Sequence, residues 1–182
     1  MFLTGRLTPL RFLIYVIGQL LGAFLAAVIV FVLYLDALKS YGDNMYSLDT
    51  AGIFGTYPGA HLSIFGGLFD QTFGTFILVL VVLAITDRKN VQLPHGTVAV
   101  LVGFTIFLIG TAFAYNCGYA VNPARDFAPR LFTLMAGWGT KTFTAGTYFF
   151  WIPIVGPLLG ALVAVFVYIF FISAHWPQTD YL

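Results

Sequence analysis

Residues 118–126 read Gly-Tyr-Ala-Val-Asn-Pro-Ala-Arg-Asp, which places an asparagine, a proline and an arginine within an otherwise apolar chain. Moving a charged side chain to the centre of a bilayer costs about 2.5 to 3.5 kcal/mol on insertion scales. A membrane protein therefore keeps such a residue mainly where it faces a water-filled path or the bundle interior. This stretch predicts that Arg125 borders a polar path through a membrane.

The composition of the whole chain is that of a membrane protein. Of its 182 residues, 60% are hydrophobic, 18% are aromatic and 8% are charged, whereas charged residues make up about 25% of a soluble domain. The 7 acidic residues, all aspartates, nearly balance the 8 Lys and Arg residues, so no basic face predicts a nucleic-acid partner. Cys117 is the single cysteine, which excludes a disulfide within the chain.

Four segments are apolar enough to cross a bilayer as helices, which takes about 20 residues each. They span residues 10–35, 66–86, 97–116 and 149–173. The first segment could instead be a secretory signal, because Arg6 and Arg11 precede it. Its uncharged run over residues 12–35 is longer than the roughly 7 to 15 residues of a signal core. A spanning helix is therefore the favoured interpretation.

A fifth segment, residues 122–134, is too short to cross. It begins with Asn122, a favoured helix N-cap, and Pro123, which suits the first helical position because the missing N–H would have no partner there. These residues predict a half-helix that starts inside the membrane. Backbone that is not helical survives at that depth only where protein buries it or where it lines a water-filled cavity. The loop before Asn122 is therefore expected to line a wet path.

Counting every Lys and Arg leaves the orientation of the chain undecided. One membrane face would carry Arg6, Arg11, Arg88 and Lys89, and the other would carry Lys39, Arg125, Arg130 and Lys141. Once Arg125 and Arg130 are assigned to the half-helix, they no longer count as loop charges. The positive-inside rule then predicts that both chain ends are cytoplasmic.

Residues 18–26 (GQLLGAFLA) and residues 156–164 (GPLLGALVA) are identical at six of nine positions. Both stretches carry small residues four apart, which allow helices to pack closely in lipid. The match predicts an inverted internal repeat, although two helices rich in Leu, Gly and Ala can also look alike. If it is a repeat, the two helices and the half-helix that precede the second copy have no counterpart before the first. The glycines expected to pack helices are Gly18, Gly22, Gly156 and Gly160.

Several longer stretches together resemble the aquaglyceroporins, the glycerol-conducting members of the aquaporin superfamily. They are residues 50–58, Asp70-Gln71, residues 122–127, Pro129-Arg130, residues 136–139 and Pro157-Leu158. The resemblance covers nearly the whole chain and implies one membrane domain over residues 1–182. The implied fold is all-α and transmembrane, an aquaporin-like right-handed helical bundle with inverted repeats. The first two helices and the first half-helix of the full fold would be missing.

In that family two Asn-Pro-Ala half-helices meet at the membrane midplane, and this chain carries the second. Met1 would fall within the first, so the sequence resembles a product begun at an internal methionine, through a splice form, a gene-model error or a fragment. The resemblance implies a parent that is a passive channel for glycerol, small neutral solutes and water. This chain alone is expected to conduct poorly or not at all.

The resemblance assigns the path to Asn122, Pro123, Ala124 and Arg125. The Asn122 amide is expected to donate to a passing hydroxyl, while the positive end of the half-helix disfavours cations and protons. The planar fork of Arg125 can hold two hydroxyls of a polyol. Alternatively, Arg125 is purely structural and binds loop carbonyls.

Tyr119 and Gly110 are implied to line the selectivity filter, the glycine leaving room and the ring contacting the carbons of glycerol. Taken alone, Tyr119 is more typical of the aromatic belt at a membrane interface. The backbone carbonyls expected to accept hydrogen bonds along the path are those of Asn116, Cys117, Gly118 and Tyr119.

Four further residues carry the glycerol-type signature of the family: Asp126, Arg130, Pro157 and Leu158. Asp126 and Arg130 can also be interpreted as a simple i,i+4 pair, typically worth about 0.2 to 0.5 kcal/mol. An enzyme is the least favoured function, because no base, nucleophile and orienting group lie together in sequence. No cofactor is expected, and His61, His95 and His175 lack the spacing of metal ligands.

The expected location is the plasma membrane, crossed several times, with water, glycerol and other small neutral solutes as the transported partners. The resemblance implies a homotetramer. The alternative is a non-conducting protein that associates with full-length channel subunits through the Gly22 and Gly160 faces.

Overall fold

The computed structural model of the chain describes Gly5, residues 7–42 and residues 44–177. Its α-helices are α1 (Pro9–Leu33), α2 (Leu35–Ser40), α3 (Leu48–Ala51), α4 (Ile64–Ile85), α5 (His95–Cys117), α6 (Pro123–Thr133), α7 (Lys141–Tyr148) and α8 (Ile152–Phe171). Four stretches of these residues are long and apolar enough to cross a membrane: Pro9–Leu33, Ile64–Ile85, Gly96–Cys117 and Lys141–His175. The predicted all-α transmembrane class is confirmed.

Local caps decide where the spanning helices begin. Thr8 precedes α1, and its side chain accepts a hydrogen bond from the backbone N of Arg11. Ser63 precedes α4 and accepts from the backbone N of Gly66 at 3.0 Å. The last apolar stretch is divided, because Phe149–Trp151 form a 3₁₀ turn before α8 starts at Ile152.

Helices α4 and α8 are in direct backbone contact. A Cβ atom added at Gly156 would lie 2.7 Å from the Cβ of Gln71, and one added at Gly160 would overlap the carbonyl oxygen of Thr72. Only glycine allows so close an approach, as the small-residue pattern predicts.

The matching face of α1 is open. At Gly18 and Gly22, no described residue comes within 4 Å of an added Cβ atom. The two copies of the nine-residue pattern therefore have different surroundings, and the packing role predicted for Gly18 and Gly22 has no partner among the described residues.

An aromatic cluster joins α1, α6 and the segment between α1 and α4. The ring of Phe132 lies 5.9 Å from Phe24, 5.5 Å from Phe31 and 5.6 Å from Phe54, measured between centroids. Trp138, in the π-helical turn after α6, lies 5.5 Å from Phe54. This cluster holds the segment that contains Phe54 against the half-helix.

The π-helical turn requires glycine at one point. Gly137 has a φ of 126°, and an added Cβ would lie 2.8 Å from the ring of Tyr46. The Tyr46 ring also contacts the Trp138 ring. The Trp138 indole N–H in turn donates to Thr50 Oγ1 at 3.0 Å. The Gly137-Trp138 pair thus fixes the short helix α3 to the end of α6.

Candidate functional site

The candidate site begins at the N-terminus of α6. Asn122 is the N-cap, and its Oδ1 accepts hydrogen bonds from the backbone N of Ala124 at 3.0 Å and of Arg125 at 3.2 Å. Pro123 occupies the first helical position. Because capping uses the Asn122 carbonyl oxygen, its NH₂ group is left as the hydrogen-bond donor at this exposed tip.

The loop before Asn122 has a strained backbone. Gly118 has a φ of 68° and Val121 a φ of 36°, a region that β-branched residues rarely adopt. The Gln71 side chain holds both ends of the loop: its Oε1 accepts from the Val121 N at 3.0 Å and its Nε2 donates to the Gly118 carbonyl at 3.1 Å. Gln71, which is 1% exposed, therefore fixes the path-side loop to α4.

Polar side chains continue this network towards the end of α5. Asp70 Oδ1 accepts from Gln71 Nε2 at 3.2 Å, and Asp70 Oδ2 accepts from Asn116 Nδ2 at 2.8 Å. The His61 Nε2 and Asn116 Oδ1 lie 3.2 Å apart, and the Cys117 thiol contacts Asp70 Oδ1 at 3.4 Å. In the sequence, Asp70-Gln71 contributes only to the resemblance. Two adjacent polar residues inside an apolar span were the available signal of this role.

We expect Gln71→Leu to lower the free energy of unfolding by about 2 kcal/mol, because it leaves the buried Val121 N–H without a partner and removes the hydrogen bond to the Gly118 carbonyl. Thermal unfolding in detergent, followed by circular dichroism, measures the change. Gln19→Leu on the exposed side of α1 is the matched control. A loss no larger than that of the control would contradict the role of Gln71.

Arg125 is the third residue of α6 and is exposed. Its NH1 donates to the Phe54 carbonyl at 3.3 Å, and its other guanidinium N–H groups have no hydrogen-bond partner within the described part of the chain. Arg125 borders two cavities, one of about 340 Å³ that also contains Tyr119 and one of about 280 Å³ that also contains Phe54. Free donors thus face both openings.

Asp126 and Arg130 form a buried ion pair and are 0% and 1% exposed. Asp126 Oδ1 accepts from Arg130 Nε at 3.1 Å and NH2 at 2.8 Å. Asp126 Oδ2 accepts from the backbone N and the hydroxyl of Thr56, both at 2.6 Å. Arg130 NH2 also donates to the Thr56 carbonyl at 2.6 Å, and NH1 donates to the Thr142 carbonyl. The i,i+4 pair is therefore the centre of a buried network.

The loop residue Tyr57 completes that network. The Arg130 guanidinium carbon lies 4.6 Å from the centroid of the Tyr57 ring, a cation–π distance. Burial raises the pKa of the Tyr57 phenol. The Arg130 charge partly offsets this rise in pKa, and the Asp126 charge adds to it. Tyr57 therefore stays neutral in the physiological range.

Tyr119 and Gly110, the two residues predicted to line a selectivity filter, are in contact. An added Cβ at Gly110 would lie 2.8 Å from the Tyr119 Cζ, so the glycine makes room for the ring. Tyr119 is 43% exposed. Tyr119 lines the 340 Å³ cavity together with Arg125.

Two of the four carbonyls expected along the path already accept protein hydrogen bonds. The Asn116 carbonyl accepts from the Gly59 N at 2.8 Å, and the Gly118 carbonyl accepts from Gln71. A carbonyl oxygen has two lone pairs, so each can accept one further bond.

A large apolar cavity of about 780 Å³ lies beside the tip of α6. The half-helix contributes Asn122, Pro123 and Ala124, α1 contributes Gln19, and α8 contributes Leu158. Asn122 and Gln19 are its polar lining residues. Pro157, the neighbour of Leu158, is buried within α8.

Among the residues that the structure describes, His, Cys and Asp side chains form no group of three or more that could hold a metal ion. Apart from Asp49, which lines the 340 Å³ cavity, the side chains that line the cavities beside α6 are hydrogen-bonding, aromatic or aliphatic groups. This set can bind uncharged molecules that carry hydroxyl or water oxygens.

The sequence model of the major intrinsic protein family matches residues 1–168. The chain is 44% identical over 182 residues to aquaporin-10 of Homo sapiens, covering 98% of this chain and 60% of that protein. It is 42% identical over 184 residues to aquaporin-9 of Homo sapiens, covering 99% of this chain and 62% of that protein. The chain thus spans about three fifths of the length of these relatives.

A solved structure also matches. The aquaglyceroporin from Plasmodium falciparum aligns with a TM-score of 0.82 and 30% sequence identity, covering 90% of this chain and 65% of that one.

Proposed function

The chain belongs to the major intrinsic protein family, as its aquaglyceroporin-like motifs predicted, and from this premise we propose that α6 forms one wall of a path for water and small neutral solutes such as glycerol. The family and its relatives indicate a membrane transporter rather than an enzyme. The observation that supports the path most is the position of the Arg125 guanidinium, which is exposed and has free donors towards two cavities.

Each side chain would have a separate task in such a path. The Asn122 amide and the Arg125 guanidinium donate to solute oxygens, while the second lone pair of the Gly118 carbonyl and the Tyr119 carbonyl accept from solute hydroxyls. The Tyr119 ring contacts the carbons of a polyol. The positive end of α6 and the Arg125 charge oppose the entry of cations.

The residues of the glycerol-type signature would hold the residues that line this path in position. Asp126 and Arg130 hold Thr56, two residues after Phe54, whose carbonyl binds Arg125. We propose that the ion pair thereby positions the Arg125 guanidinium. Leu158 would add an apolar contact beside Asn122 in the 780 Å³ cavity, and Pro157 would shape α8 there.

We further propose that this chain alone conducts poorly. The cavity beside Asn122 has a volume of about 780 Å³, with walls from α1, α6 and α8. The open face of α1 at Gly18 and Gly22 favours completion by a further helix. The proposed setting is the plasma membrane with both chain ends cytoplasmic, in a homotetramer or together with full-length subunits.

The alternative function is that of a non-conducting partner of full-length subunits. The open face of α1 also supports this proposal, because Gly18 and Gly22 have the spacing that packs helices in lipid. Co-purification with a full-length relative would support it, and recovery of the chain only as a monomer would oppose it.

Proteoliposomes test the path. The chain alone is expected to pass glycerol no faster than empty liposomes. Co-expressed with the part of human aquaporin-10 that precedes the matched region, it should gain glycerol flux, measured by stopped-flow light scattering. Flux of the chain alone at the rate of full-length aquaporin-10 would overturn the proposed need for completion, and no gain in the complemented protein would overturn the path.

In the complemented protein, Arg125→Val should raise the leak of monovalent cations at least about fivefold, because a unit charge about 4 Å away contributes about 1 kcal/mol or more. A sodium flux assay measures the leak. Lys39→Val, which removes an exposed charge outside the cavities that contain Arg125, is the matched control. Equal leaks in the two variants would contradict the electrostatic role of Arg125.

A further inference from the structure

A cavity of about 400 Å³ lies where α1, α2 and α3 meet, and we call it the Asp49 cavity. Its walls include the rings of Tyr34, Tyr41 and Phe54 and the carboxyl group of Asp49. Its volume is within the roughly 300 to 1,000 Å³ of small-molecule sites. It shares no lining residue with the cavity that contains Asn122, but it shares Asp49 with the 340 Å³ cavity and Phe54 with the 280 Å³ cavity, both of which Arg125 borders.

The carboxylate and phenol groups of this cavity have no hydrogen-bond partner among the residues that the structure describes. Tyr34 and Tyr41 are each 55% exposed, and neither their hydroxyls nor the Asp49 carboxylate form a hydrogen bond within the described part of the chain. Asp49 is the charged residue among those that line the cavity. The remaining walls are mainly aliphatic, including the buried Leu38.

This combination selects the chemistry of the ligand. A carboxylate and aromatic faces attract a cation, since rings stabilise ammonium groups within about 6 Å of their centroids. Apolar walls disfavour a primary ammonium, which is strongly hydrated. A methylated ammonium combines a positive charge with an apolar surface and therefore fits all three features.

The position of the cavity relative to the membrane surface indicates the source of the methylated ammonium group. The spanning helix α1 ends at Leu33, one residue before Tyr34, so the cavity lies at the level of lipid headgroups, where tyrosines typically occur. We propose that the Asp49 cavity binds the choline headgroup of phosphatidylcholine from the adjacent leaflet.

The bound lipid would touch a residue that also belongs to the candidate path. Phe54 lines the Asp49 cavity and also the 280 Å³ cavity that contains Arg125. Its carbonyl accepts the hydrogen bond of Arg125. The binding proposal itself does not depend on conduction and is tested without it.

Native mass spectrometry of the purified chain, released from a maltoside detergent, measures binding of single lipids. The probes are phosphatidylcholine, phosphatidylethanolamine and phosphatidylglycerol with identical acyl chains. The wild type should bind phosphatidylcholine most tightly. Asp49→Asn should weaken this binding about fivefold, the effect of removing one exposed ion pair of about 1 kcal/mol, and leave phosphatidylglycerol binding unchanged.

Two matched pairs of variants localise the site. Asp36→Asn changes an exposed aspartate of α2 that does not line the cavity, and it should bind phosphatidylcholine like the wild type. Tyr34→Phe keeps the ring and should retain binding, whereas Tyr34→Leu should weaken it about threefold or more. Circular dichroism establishes that each variant is folded.

Three results would overturn the proposal. Equal affinity for the three headgroups would indicate ordinary annular lipid. Equal phosphatidylcholine affinity in the Asp49→Asn and Asp36→Asn variants would place the lipid elsewhere. Binding of tetramethylammonium chloride that depends on Asp49 but that phosphatidylcholine does not displace would make the occupant a free cation.

Discussion

Asp126→Ala is expected to lower the free energy of unfolding by about 3 to 5 kcal/mol, because it leaves the Arg130 guanidinium buried without its counter-charge. It also removes the acceptor of both Thr56 donors, so the loop that carries Phe54 should loosen. Denaturant unfolding in mixed micelles measures the loss. An equivalent change at an exposed carboxylate, Asp36→Ala, should have little effect.

The double variant Asp126→Ala with Arg130→Met separates the ion pair from its surroundings. Because it removes both charges, it should be more stable than Asp126→Ala alone, as removal of one partner of a buried pair is usually worse than removal of both. The single variant Arg130→Met is measured as well. If the stability losses of Asp126→Ala and Arg130→Met add up in the double variant, the two side chains do not act as a pair. A loss below about 1 kcal/mol for Asp126→Ala would show that the site is solvated.

Gly160→Ala should be the second large effect, destabilising the chain by about 1 to 3 kcal/mol as an overpacked contact. The added Cβ would overlap the carbonyl oxygen of Thr72, and backbone cannot move aside as a flexible side chain can. The same denaturant measurement applies. Gly156→Ala, whose added Cβ would meet the Cβ of Gln71, should be similar in direction.

Gly22→Ala is the matched control, since Gly22 has the same place in the repeat as Gly160. With open space around it, the substitution should be neutral or should stabilise α1 by about 0.5 to 1 kcal/mol, the gain of alanine over glycine in a helix. Equal losses at Gly22 and Gly160 would mean that α1 is covered in the isolated chain. A loss that arises only when a full-length subunit is present would instead support the proposed association.

The sequence predicts the apolar helices well, because lipid requires long uninterrupted apolar runs. Asn122-Pro123 likewise predicts the start of α6, since capping depends only on neighbouring residues. By contrast, the short helices α2 and α3 were not predicted. The helix α3 depends on contacts with Trp138, which lies far away in sequence.

The candidate site could be predicted less completely. The role of Gln71 depends on a backbone hydrogen bond to Val121, 50 residues away, and no local pattern reports that distance. The internal repeat shows the same limit of prediction from sequence. Residues 18–26 and 156–164 are similar, yet α4 packs against Gly160, whereas no described residue packs against Gly22. Surroundings of that kind depend on which helix lies alongside, which the stretch itself does not encode.

The spacing of Asp126 and Arg130 has a consequence for biosynthesis. The two charges lie one turn apart on a single short helix, so they can neutralise each other as soon as that turn forms. During insertion at the translocon, the segment would then enter lipid as a compact dipole, which is far cheaper than two separated ions. Thr56 and Thr142 supply the remaining hydrogen-bond partners from outside α6, whereas the neutralising pair itself is encoded within one helical turn.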